Sequence, residues 1–112
     1  MQWRIMQQKK PDDYVIATGS TYTVKQFIEE VCKILKIKLQ WIGKGMNERA
    51  YEINGKKKKL LIKVDRKYFR PLDINYLKGD SAKAKKLLNY RPKYNFKMLV
   101  KEMLLSDIKS IK

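Results

Sequence analysis

The chain contains no histidine, which removes the commonest general base and the commonest metal ligand among side chains. Its one cysteine, Cys32, can neither close an intramolecular disulfide nor assemble a cysteine-based metal site within a single chain. A reducing, cytoplasmic setting is therefore expected. Apolar runs such as residues 60–62 and 103–105 are short, far below the ~20 residues that span a bilayer, so no transmembrane helix and no membrane partner are expected. The opening eight residues show neither the long apolar core nor the small-residue cleavage site of a secretory signal. The five glycines stand at positions 19, 43, 45, 55 and 79; no set of them makes G-x-G-x-x-G or G-x-x-G-x-x-G, so no dinucleotide-binding loop is expected, and there is no P-loop. Carboxylates are few and scattered, and Asp12 with Asp13 suits a turn better than an acid–base pair.

Positive charge, by contrast, is abundant. The 112 residues carry 27 Lys and Arg against 11 Asp and Glu, a formal net charge of +16. Such a surface attracts anions, and salt weakens that attraction. A nucleotide, a nucleic acid or an acidic membrane would each satisfy it. Lysine is also abundant alongside Ile, Asn and Tyr, which points to a compositional bias rather than a selected binding surface. Neither an arginine-rich motif nor the aromatic-and-basic RRM signature is present, and no zinc spacing occurs, so nucleic acid is the less favoured partner. A hydrophobic fraction of 44% with 11% aromatics is that of a folded chain, and the length suits one domain over residues 1–112 with a modest core.

Periodicity predicts mixed elements. Residues 3–9 have helical composition but no cap before them, as if a helix were cut in its middle, and Pro11 stops them. Residues 14–17 form a short apolar run of the buried-strand kind. Thr23-Val24-Lys25-Gln26 matches the capping box, and behind it Val24, Phe27, Ile28, Val31, Cys32 and Leu35 recur at spacings of three and four, predicting a helix to about residue 36. Cys32 lies on that stripe and is expected in the core. Residues 39–42 suggest a strand, and residues 51–64, with Asn54-Gly55 at the turn, suggest a hairpin. Residues 65–73 are too irregular to assign. Asp80 is placed to cap a helix over 81–88, and Asn95 a last helix with Leu99, Val100, Met103, Leu104 and Ile108 on its apolar face. The long strand–helix alternation of a complete doubly wound sheet is absent.

In this order the segments resemble the GDP-mannose 4,6-dehydratase family of extended short-chain dehydrogenases. The resemblance is carried by residues 7–19 (Gln-Gln-Lys-Lys-Pro-Asp-Asp-Tyr-Val-Ile-Ala-Thr-Gly), by Thr23-Val24-Lys25-Gln26-Phe27 and by the loop 41–48. It continues through Val64-Asp65-Arg66-Lys67-Tyr68-Phe69-Arg70-Pro71, similar to the family's V-D-P-x-Y-F-R-P, then Gly79-Asp80-Ser81-Ala82-Lys83-Ala84-Lys85 and Tyr90-Arg91-Pro92-Lys93. The implied fold class is α/β: a small mixed α+β substrate-binding subdomain at the C-terminal end of the enzyme, with the Rossmann domain missing. The implied parent reaction oxidises C4 of GDP-mannose by hydride transfer to NADP, eliminates water across C5 and C6, and returns the hydride to C6. None of the seven tyrosines precedes a lysine by four residues, so the family's catalytic Tyr-x-x-x-Lys pair is absent. The implied roles are therefore recognition of GDP-mannose or a related nucleotide sugar, no catalytic residue and no cofactor held by this chain alone; NADP belongs to the Rossmann domain of the parent enzyme, and a truncated product, a split gene with a separate Rossmann half and a remnant all stay open.

The substrate-binding residues carried over are Arg70, matching the Arg of the family's R-P-T-E motif, and Asp73, standing where the family has Glu. A guanidinium fork suits phosphate or hydroxyl oxygens; an ordinary ion pair of Arg70 with Asp65 or Asp73 is the alternative. Departures from the family pattern include Leu72 for Thr, Arg66 for Pro, Ser20 for Glu and Asn89 for Gly. Two other functions stay open: a small basic nucleic-acid-binding protein on an old scaffold, and a structural module that associates with a dehydrogenase.

Overall fold

The structure, a computed structural model, describes residues 1–70, 74 and 76–111. Its first helix, α1, spans Gln2–Met6 and has no side-chain cap, so it ends before the expected residue 9. A single turn carries most of its backbone groups unpaired, and tertiary bonds hold it. The Arg4 guanidinium donates to the Leu88 and Asn89 carbonyls, each at 3.0 Å.

Residues 14–17 depart from expectation, because they belong to no strand. A strand exists only where a neighbour supplies a ladder of N–H···O=C bonds, and none forms there among the described residues. The run instead lies against the chain near Gly79, where an added Cβ would sit 2.6 Å from Ala17 Cβ and 3.3 Å from Val15 Cγ1. Glycine at 79 is what allows the two segments to meet.

Helix α2 covers Val24–Ile34 and opens with the expected capping box. Thr23 Oγ1 accepts from the Gln26 N–H at 3.1 Å, and the Thr23 N–H donates to Gln26 Oε1 at 2.8 Å. Two donors that a helix start leaves orphaned are thereby satisfied, worth about 1 kcal/mol for the Thr side chain. The far end closes with two returning bonds, Ile37 N–H to the Cys32 carbonyl at 2.8 Å and Lys36 N–H to the Lys33 carbonyl at 3.2 Å. This Schellman arrangement needs a left-handed residue between them, and Lys36 adopts φ 59° without being glycine. Of the expected stripe, Cys32 is buried and Phe27, Ile28 and Val31 are half-buried. Val24 and Leu35 are exposed, since they stand at the two ends of the helix, beyond its packed middle.

Strands β1 (Leu39–Ile42), β2 (Arg49–Asn54) and β3 (Lys57–Lys63) form an antiparallel sheet in the order β1-β2-β3. Asn54 pairs with Lys57, so Gly55 and Lys56 make the hairpin tip, one residue later than expected. Gly55 takes φ 61°, the left-handed first position of a type II′ turn, whose twist suits a two-residue hairpin. The lysine run therefore lies in the turn and the second arm. Ala50 pairs with Ile62 and Tyr51 with Leu60, leaving Leu61 as a bulge. Lys25 joins α2 to the sheet, with Nζ 4.5 Å from the Trp41 ring centroid and 2.7 Å from Glu48 Oε1.

Helix α3 spans Ala82–Leu88. It starts one residue later than expected, with Ser81 rather than Asp80 at the N-cap and no capping bond from the Ser81 side chain; Asp80, one residue further out, has its Oδ1 accept from the Ala82 N–H at 2.9 Å. Asn89 ends the helix at φ 49°. Asparagine tolerates the left-handed region better than most side chains. Helix α4 spans Phe96–Ser110, capped by Asn95 Oδ1 accepting from the Met98 N–H at 3.0 Å. It packs on α2, and the Phe27 ring meets the Phe96 ring edge-on at 6.4 Å. Val100 is fully buried at 0% exposure, but Leu99 is 49% exposed and Met103 45% exposed. The expected apolar face of α4 is therefore only partly covered.

The accessible surface totals 10317 Å², whereas a self-contained protein of 13.4 kDa exposes roughly 6,500 Å². The radius of gyration is 19.0 Å against ~13 Å for a compact chain of this length. Among the described residues the buried apolar ones are Cys32, Ala50, Ala84, Leu88 and Val100, mostly small. Much apolar surface thus stays open.

Candidate functional site

A concavity forms where the loop leading into α4 meets the loop before α2. Pro92 restricts the first loop, and Asn95 fixes its end by capping α4. In the second loop the Ser20 N–H donates to Thr18 Oγ1 at 3.3 Å. The Tyr22 ring stacks on Phe96 with centroids 3.9 Å apart and planes within 9°, which pins the two loops together. The resulting cleft holds about 420 Å³, with Thr18, Ser20, Lys93 and Asn95 as polar walls and Tyr22 and Tyr94 as aromatic ones.

Two further hollows share its wall at Tyr94 and Leu99. One, of about 860 Å³, runs past Arg91 to Arg4 and Met1. The other, of about 570 Å³, runs along α4 past Met103 to Glu102 and Asp107. Hydroxyls, an amide and aromatic faces can hydrogen-bond and stack. No carboxylate lines the first cleft among the described residues.

Arg70 stands just after a 3₁₀ turn over Arg66–Tyr68. It is exposed and lines none of these three hollows. Asp65, one of its alternative partners, uses its carboxylate on the Lys67 N–H at 3.0 Å. No ion pair of Arg70 forms among the described residues. Asp73, with Pro71 and Leu72, lies outside the described residues. The cleft around Tyr22 and Tyr94 was not anticipated from the sequence; an aromatic and a proline placed just before a capped helix were the available signals.

Among the described residues, Asp12 and Cys32 have shifted ionisation. The Lys83 ammonium, then the Asp13 N–H, hold the Asp12 carboxyl below its usual range. Lys83 Nζ also lies 5.2 Å from the Tyr14 ring centroid. Burial first, and then the nearby Glu52 charge, push the Cys32 thiol up, which disfavours its thiolate and suits a packing role. No group of three or more potential metal ligands occurs among the described residues. No helix of the described residues is long and apolar enough to cross a membrane.

A family model described as GDP-mannose 4,6 dehydratase matches residues 1–103. The chain belongs to the GDP-mannose 4,6-dehydratase family. It is 44% identical over 111 residues to the GDP-mannose 4,6 dehydratase of Dictyostelium discoideum, covering 98% of this chain and 30% of that protein. Identity to the Drosophila melanogaster GDP-mannose 4,6 dehydratase is 41% over 106 residues, 95% of this chain and 26% of the relative. The human GDP-mannose 4,6 dehydratase is 38% identical over 108 residues, 95% of this chain and 28% of the relative. The chain thus spans less than a third of the length of these relatives and corresponds to the C-terminal part of the enzyme. These similarities do not favour the nucleic-acid alternative.

Proposed function

We propose that residues 1–112 build the sugar-nucleotide-recognition portion of a GDP-mannose 4,6-dehydratase, a cytoplasmic lyase, and bind GDP-mannose or a closely related nucleotide sugar. The observation that carries this is the match over residues 1–103, nearly the whole chain, at about 30% of the Dictyostelium relative's length. Arg70 supplies a guanidinium fork for phosphate or hydroxyl oxygens, and Asp73 an acceptor for sugar hydroxyls. The exposure of Arg70 leaves that fork available to a ligand.

The glycine spacing of a dinucleotide-binding loop is absent from this sequence. A Cβ at Gly43 would strike the Asn47 carbonyl, and one at Gly79 would strike Ala17, so both glycines serve contacts within the chain. Gly45 and Gly55 occupy separate turns facing open space. No hydride step is therefore assigned to this chain; a Rossmann portion, on the same polypeptide or another, provides the cofactor site and the catalytic residues.

The chain by itself, supplied with NADP and GDP-mannose, should show no turnover, and conversion would refute the division of labour. Combined with the remaining portion of the Dictyostelium enzyme, it should bind GDP-mannose. Arg70→Ala should then weaken binding by about 10–100-fold, the loss expected for one charge-assisted contact. Unchanged affinity would remove Arg70 from the site.

A further inference from the structure

We propose that the outer edge of β3 is a docking strand for an acidic, extended segment of a partner protein, which adds to the sheet as a further strand. This interaction is independent of the sugar-nucleotide role. In the order β1-β2-β3, β3 pairs with β2 on one side and with no strand on the other among the described residues. Residues 57–63 make no backbone hydrogen bond outside the β2 ladder there. In an antiparallel pair, alternate residues turn both backbone groups away from the partner strand. Asn54 and Lys57 close the two-residue turn, so Lys57 and Lys59 direct theirs to β2, whereas Lys58 and Leu60 direct theirs outward. Such an unpaired row is a template for an incoming strand.

Charge selects the kind of strand that is admitted. Residues 56–63 carry lysine at positions 56–59 and 63 and no carboxylate, and all of these lysines are exposed. Lys57 and Lys59 project from one face of the strand and Lys58 from the other, so the edge is cationic on both sides. Carboxylates at alternate positions of an added strand stand opposite Lys57 and Lys59. Lys36 and Lys38 line a hollow of about 440 Å³ together with Asn54 and Gly55 at the hairpin tip, and they extend the positive field there. Glu52, opposite Lys59, lines the same hollow, yet no ion pair engages any of these lysines among the described residues.

Two other occupants fit less well. A second copy of this chain would set β3 lysines against β3 lysines, the like-charge placement by which edge strands discourage self-pairing. A single-stranded nucleic acid stacks its bases on exposed aromatic rings, and the sheet offers none among the described residues. Trp41 and Tyr51 are half-buried, and the exposed large side chains Ile42, Leu60 and Leu61 are aliphatic.

The test titrates the chain into a dye-labelled peptide of alternating Glu and Thr, read by fluorescence anisotropy, beside two probes of equal charge. One is a Glu-Pro repeat, which lacks the N–H groups for a ladder, and the other a deoxythymidine oligonucleotide. The Glu-Thr peptide should bind, and the Glu-Pro repeat should bind about 10-fold more weakly for want of backbone bonds. The oligonucleotide should also bind more weakly than the Glu-Thr peptide. Lys57→Glu, Lys58→Glu and Lys59→Glu combined should weaken the Glu-Thr peptide by about 100-fold. Lys97→Glu, Lys101→Glu and Lys109→Glu combined, at exposed positions of α4, make the same change in net charge and should weaken it by less than about 3-fold. Circular dichroism checks the fold of both variants, and should the first unfold, the milder Lys58→Gln with Lys59→Gln should still weaken binding by about 10-fold. Equal binding of the two peptides would reduce the contact to charge without strand addition, and equal losses in the two triple variants would make net charge the cause. Tighter binding of the oligonucleotide would turn the surface into a nucleic-acid one. Any of these results, or no binding of the Glu-Thr peptide, overturns the proposal and leaves the sugar-nucleotide role untouched.

Discussion

Val100 and Leu99 are neighbours on α4 with opposite environments, and truncating each to alanine gives a sharp test of how that helix is packed. Val100 is fully buried, whereas Leu99 is 49% exposed. Val100→Ala deletes two methyl groups, at ~0.8 kcal/mol each for transfer from water. The α2–α4 contact cannot fully collapse onto the vacancy, which adds ~1 kcal/mol for the cavity. The expected cost is thus about 2–3 kcal/mol, a large fraction of the stability of so small a core. Leu99→Ala removes more carbon, but from a half-solvated position where no enclosed cavity forms; about 1 kcal/mol is lost, partly offset by alanine's helix propensity. Urea unfolding followed by circular dichroism at 222 nm measures both. Equal losses, or a larger loss at Leu99, would mean that α4 is turned the other way and that the α2–α4 packing described here is wrong.

Lys36→Gly should raise stability by about 1 kcal/mol, because lysine holds the left-handed conformation at φ 59° that glycine adopts without steric cost; a loss in urea titration would contradict the Schellman geometry. Gly79→Ala should cost about 1–3 kcal/mol by overpacking, since its Cβ would lie 2.6 Å from Ala17 Cβ, and a neutral result would place residues 14–17 elsewhere. For Asp12 the folded carboxyl titrates below the ordinary value of 3.8, so on acidification the unfolded chain takes up the proton first. Its contribution is present above that pH and lost as pH falls through the folded value. Stability of the unaltered chain should therefore fall toward that of Asp12→Asn in acid and exceed it at neutral pH, and parallel curves would show that the Lys83 contact contributes nothing.

Short-range chemistry was legible in the order of residues. Thr23 and Asn95 announced two helices because a cap is satisfied within three residues of its own position. Gly55 announced a hairpin because the turn needs its φ, although the tip fell one residue beyond Asn54-Gly55. Cys32 was placed in the core by the spacing of its apolar neighbours, and its buried position agrees. Family membership was also readable, through motifs distributed along nearly the whole length.

Contacts between distant segments were decided only in three dimensions. Residues 14–17 have the composition of a strand, but pairing belongs to two segments at once, and the segment they meet near Gly79 offers side-chain contact without a ladder. Leu99, Met103 and Val100 share one helical period, yet only packing determined that Val100 is buried while the other two stay exposed. The Tyr22–Phe96 stack joins residues 74 positions apart, so neither local propensity nor periodicity could reveal the cleft it closes. Sequence alone thus determined the local elements and the ancestry of this chain, because caps, turns and motifs are written in adjacent residues. Tertiary structure decided which apolar faces are buried and which remain open for a partner, because burial depends on what else arrives in the same place.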